Sequence, residues 1–223
     1  MFAALYWLYG FCLILLVINT LLYTWKLRTN RSGWLKIIVV FLWTMLFIQL
    51  ASEVATCLYH YNLYFSHIYT YSQSVLLGAF YYRICRNVKQ RKFIKWYLIC
   101  MTLVLMIQYI IYPSLFFRYN IVEIILGNYV LVIASFFYLY NTTSEKRHFA
   151  YLSLGILLWA VLDISVLMFG NVLAMIQIQE SGIIWLMRQF SVLLFHTMIL
   201  IQWFKLFGFN SKPDHSEKDW PVR

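Results

Sequence analysis

The sequence predicts an all-α integral membrane protein, a bundle of seven transmembrane helices. Three observations carry that expectation. Hydrophobic residues are 63% of the 223, against roughly 45–50% in soluble domains. Charged residues are 12%, about half the ~25% usual for a water-facing surface. The apolar residues also fall in long runs, with basic clusters between them. At ~20 residues per span, the chain has length for seven helices joined by short loops. This composition excludes a soluble globule, a disordered tail and a disulfide-stapled secreted domain.

The first span is expected at about 2–25, closed by Lys26, Arg28 and Arg31. The second, about 35–59, ends in an aromatic turn around His60, Tyr61 and Asn62. The third, about 64–84, runs into Arg86, Lys89, Arg91, Lys92 and Lys95. The fourth, about 96–112, is closed by Pro113, which cannot continue a helix without losing a hydrogen bond. The fifth covers about 121–140. The sixth, about 149–169, is expected to stop at Gly170-Asn171, and the seventh covers about 183–207. Residues 1–208 thus form the bundle and 209–223 a polar cytoplasmic tail. No basic residue precedes the first helix and no small-residue cleavage pattern follows it, so it does not read as a removable signal peptide.

Lys and Arg set the orientation. Sixteen of the eighteen lie in the first, third and fifth connections or after the seventh helix; only Arg118 and Arg188 do not. The N-terminus is expected outside and the C-terminus in the cytoplasm. The net charge of +10 then serves topology and anionic lipid, and nucleic acid is not needed to explain it. The sequons at Asn30 and Asn141 would lie on the cytoplasmic side, out of reach of glycosylation. Cys57 alone lies near the outer face, so no extracellular disulfide is expected.

An ionisable group inside a span costs a few kcal/mol, which marks each one as a candidate for function. Glu53 stands 17 residues past Lys36 and Asp163 16 past Arg147, each roughly 25 Å from the cytoplasmic edge. Arg188, eight residues past Glu180, is roughly 12 Å below the outer one. All three can share one level. Gln49 lines up with Glu53 on the second helix, His67 and Gln73 belong to the third, and Asn128 to the fifth. Trp159 sits four residues before Asp163, and Trp185 three before Arg188. These nine residues are the expected ligand-binding set, in an outward-facing cavity walled by helices two, three, five, six and seven. A purely structural network is the competing reading, since polar side chains also join helices in lipid. Glu123 is expected to reach the interface. Gln108 and Asn19 read as packing hydrogen bonds, and His196 as a satisfied core histidine.

Catalytic signatures are missing. His-Glu-x-x-His, Gly-x-Ser-x-Gly and the P-loop pattern are all absent, so no catalytic residue, metal site or cofactor is expected. The threading resembles that of opsins and seven-helix receptors in topology alone. A retinal Schiff base would need a lysine within the seventh helix, and the one lysine there, Lys205, is at its cytoplasmic end. The expected function is a membrane sensor or receptor-like protein that signals through a separate membrane or cytoplasmic partner. A non-catalytic subunit of a larger membrane complex, or a small-molecule or proton transporter, are the alternatives. Compact loops and the lack of outer cysteine pairs suggest a bacterial inner membrane.

Overall fold

A computed structural model describes residues 2–60, 62–118, 120–141, 148–175 and 181–208. The tail 209–223 and the basic pair Lys146-Arg147, both used above, lie outside them. The described residues form seven α-helices: α1 (Phe2–Thr29), α2 (Gly33–Tyr59), α3 (Leu63–Ile84), α4 (Val88–Ile111), α5 (Ile121–Asn141), α6 (Ala150–Met175) and α7 (Ser181–Phe207). A short 3-10 helix, Pro113–Phe117, follows α4. Among the described residues six helices are long and apolar enough to cross a membrane. α3 is not one of them, because His67, Thr70, Gln73 and Ser74 lower its hydropathy. It is nonetheless held in the bundle between α2 and α5.

Several boundaries differ from the sequence expectation. α4 begins at Val88, eight residues before the apolar run, where the Asn87 side chain accepts the Lys89 N–H at 2.9 Å. Basic residues end an apolar span but not a hydrogen-bonded helix. α1 runs through Lys26 and Arg28 for the same reason. α6 passes Gly170-Asn171 and ends at Met175. A helical glycine costs about 1 kcal/mol relative to alanine, too little to stop a helix on its own. α2 does end where expected, with His60 left-handed at φ 53° and its N–H bonded to the Thr56 carbonyl.

Neighbouring helices close a ring in the order α1, α2, α3, α5, α6, α7 and back to α1. α4 stands outside, packed on α3, α5 and the 3-10 helix. The outer surface is apolar by design of the sequence: on α1, Trp7, Phe11, Ile14, Ile18, Leu21 and Trp25 are exposed, while Asn19, Thr20 and Tyr23 are buried. α2 repeats the pattern with Val40, Trp43, Phe47, Leu50 and Val54 outward. Both stripes step by three and four, one face of a helix. Apolar outside and polar inside is the arrangement a bilayer selects, so this is a multi-pass helical membrane protein.

Polar side chains then hold the helices together, because lipid supplies no hydrophobic force between them. Asn19 donates to the His196 carbonyl at 2.9 Å and Tyr23 to that of Ile199 at 3.1 Å, joining α1 to α7. The expectation for Asn19 is met. At the end carrying the basic loops, Gln202 accepts the Leu152 N–H and donates to the His148 carbonyl, satisfying groups at the start of α6.

The interior of the ring at that end is filled by rings. Trp34 packs edge-on to Phe149 at 4.8 Å, and Phe149 meets Phe80 at 5.5 Å. One layer further in, Phe195 contacts Phe41 at 6.1 Å and Trp159 at 5.6 Å. Five of these six aromatics come from α2, α3, α6 and α7, Phe149 immediately precedes α6, and all are packed across the ring.

Glycine sets a close approach between helices. A Cβ on Gly155 would lie 2.6 Å from the Met198 Cβ, so α6 and α7 touch at backbone distance. Gly155→Ala is expected to destabilise the bundle by about 1–2 kcal/mol, overpacking outweighing the gain in helix propensity. Gly10→Ala, with nothing within 4 Å, should be neutral or slightly stabilising. Thermal unfolding midpoints in detergent would compare the pair.

Candidate functional site

A cavity of about 260 Å³ opens between α1, α2, α3 and α7. It lies toward the end of the ring away from the basic loops. Its walls are Tyr9 and Cys12 of α1, Gln49, Ser52 and Glu53 of α2, and Phe65, Ser66 and Tyr69 of α3. From α7 come Trp185, Arg188, Gln189, Val192 and His196. The expected walls were helices two, three, five, six and seven. The structure replaces α5 and α6 with α1, because α1 closes the ring against α7.

Three polar groupings result, where the sequence suggested one. The first lies on the cavity wall. Tyr9 donates to Glu53 Oε1 at 2.7 Å and accepts from Gln49 Nε2 at 2.7 Å. Glu53 is exposed and has no basic partner among the described residues. Tyr9 was not anticipated; one more tyrosine near the end of an apolar helix carries no distinguishing signal.

The second grouping stands behind the cavity. Arg188 Nε donates to Asp163 Oδ1 at 3.3 Å, and Asn128 Nδ2 donates to Asp163 Oδ2 at 2.9 Å. Asp163 is 5% exposed, and its charge is balanced by the one guanidinium. The Arg188 guanidinium carbon sits 5.6 Å from the Trp185 ring centre, and both residues line the cavity. Depth put Arg188 level with both Asp163 and Glu53; it pairs with Asp163, and Asn128 completes the carboxylate. Glu53 shares a cavity with Arg188 and makes no ion pair with it.

The third grouping is separate. His67 is drawn away from the cavity to Glu123, Nδ1 to Oε2 at 2.7 Å, and both are buried. Tyr109 of α4 donates to the same Glu123 oxygen. Asn120 donates to the Tyr109 hydroxyl at 3.2 Å and to Gln108 Oε1 at 3.1 Å. Phe116 of the 3-10 helix covers His67 at 5.4 Å between centroids. Glu123, expected at the interface, is 2% exposed. The reason is that α3, α4 and α5 converge there and the 3-10 helix covers the cluster. Gln108 does make the packing bond expected of it.

The remaining expected residues are in the core. Trp159 packs on Phe195 as part of the aromatic fill. Gln73 is 1% exposed, and neither of its amide atoms has a hydrogen-bond partner among the described residues. His196 lines the cavity, is 3% exposed, and its Nδ1 has no partner among the described residues. The expectation of a satisfied histidine is therefore not met. Among the described residues no three His, Cys, Asp or Glu side chains gather as a metal site. No protein-family model, curated protein or solved structure matches the chain.

Proposed function

We propose that the protein is a receptor-like membrane sensor whose ligand enters the α1–α2–α3–α7 cavity. The observation that carries this reading is a cavity closed at one end. Charged and hydrogen-bonding groups line it, and beyond His196 the ring is filled by Phe195, Trp159, Phe41, Phe80 and Phe149. A binding site needs such a floor, whereas a transport path needs a polar way through. In this reading the N-terminus and cavity face outside, by the positive-inside rule, in a bacterial inner membrane. The protein has no catalytic role. Occupancy changes the packing of α1, α2 and α7, and a separate partner reads the change at the basic end. A ligand moves that equilibrium only by its different affinity for the two states.

The runner-up, a subunit of a larger membrane complex, has one observation in its favour. α4 lies outside the ring and exposes Leu103, Val104, Met106, Ile107, Ile110 and Ile111. That face suits another subunit as well as lipid. Purification in mild detergent with mass spectrometry of the co-purifying chains separates the two. A folded, solitary protein that gains thermal stability from small molecules supports the sensor. Stoichiometric partners that are lost on changing Leu103 and Ile107 to Ala would replace it with the subunit reading.

A further inference from the structure

We infer that the cavity binds a small organic cation, a protonated amine that also carries a hydrogen-bond acceptor. The inference rests on the reading of the cavity as a ligand site.

Charge balance comes first. Of the charged side chains at the cavity, Arg188 is already neutralised by Asp163, itself held by Asn128. Glu53 is left as the one uncompensated charge, and it is negative. The Tyr9 hydroxyl donates to it and in turn accepts from Gln49, which fixes the carboxylate on the cavity wall. On the wall of a cavity such a charge attracts a cation more strongly than it would in bulk water.

Chemistry then narrows the cation. A tightly held metal ion usually takes several anionic or imidazole ligands, and among the described residues no three His, Cys, Asp or Glu side chains gather. An ammonium needs one carboxylate and aromatic faces, and Phe65, Tyr69 and Trp185 are in the wall. Arg188 uses only Nε on Asp163, which leaves terminal N–H donors for a ligand acceptor. His196 adds a buried Nδ1 without a partner among the described residues. A second anion on the ligand would compete with Asp163 for one guanidinium and leave the site net negative. A neutral acceptor, such as an amide or ester carbonyl, does not.

Three probes with one phenylpropanoyl skeleton test this on the full-length protein in detergent: phenylalaninamide (cation), phenylalanine (zwitterion) and 3-phenylpropionate (anion). Affinity is read by thermal shift and by protection of a Ser66→Cys thiol, placed in the cavity wall, from a small water-soluble thiol reagent. The cation should bind at least tenfold more tightly than the zwitterion, and the anion not at all. Glu53→Gln, an exposed substitution that should leave folding intact, should weaken the cation about tenfold and erase the preference. Equal or tighter binding of zwitterion or anion, or no loss in Glu53→Gln, overturns the ligand class and leaves the cavity as a binding site. If no probe binds although the Ser66→Cys thiol reacts, the class is again overturned. If the thiol is also unreactive in folded protein, the cavity is closed to solutes and the sensor reading falls with it.

Discussion

Replacing Asp163 with alanine is expected to cost about 2–3 kcal/mol of stability, read as a lowered unfolding midpoint in detergent. Asp163 is 5% exposed and takes bonds from Arg188 and Asn128. Its removal strands a guanidinium and an amide at once. Breaking a buried ion pair from one side costs roughly 3–5 kcal/mol. Arg188 keeps 21% side-chain exposure through the cavity, so solvent offsets part of that penalty. Asp163→Asn, which retains an acceptor for Arg188, should lose less. Combining Asp163→Ala with Arg188→Met should recover part of the loss, because no charge is then left alone. A double-mutant coupling near zero would show that the pair contributes only as two independent side chains.

The second large effect belongs to Glu123. Glu123→Leu should destabilise by about 1–3 kcal/mol, since it removes the acceptor that His67 and Tyr109 share and leaves them only each other, at 3.0 Å. Glu123→Gln should cost clearly less, because the side-chain oxygen still accepts. Tyr109→Phe should cost about 1 kcal/mol, an ordinary hydrogen bond. Glu53→Gln supplies the contrast: its exposed carboxylate has one tyrosine donor and no ion pair, so stability should stay within about 0.5 kcal/mol. If Glu123→Leu proved as mild as Glu53→Gln, the cluster would not join α3, α4 and α5.

These two carboxylates mark how far the sequence could be read. Glu53 and Glu123 both stand in apolar helices, and position along the helix put Glu53 deep and Glu123 at the edge. The structure gives the opposite burial. Axial depth is countable at 1.5 Å per residue, but burial depends on which neighbour lies beside that face. α4 and the 3-10 helix cover Glu123, and α2 turns Glu53 toward an open cavity. His67 shows the same limit. Its place on the third helix was legible, yet its partner is Glu123 of α5 and not the Asp163–Arg188 pair.

The sequence by itself determined the bilayer as solvent, the number of helices and the alternation of basic and aromatic ends. It also showed which side chains were too polar to face lipid. Those follow from composition and periodicity, which are local and additive along the chain. Only the tertiary structure decided that α1 closes the ring and α4 stands outside it. It also sorted one expected polar constellation into three groupings, two of them at the cavity and one apart. A hydrogen bond requires its partners within about 3 Å, whereas one helical turn spans 5.4 Å. The rotation of each helix against its neighbours therefore chooses the partner, and that rotation is fixed by packing between segments far apart in sequence.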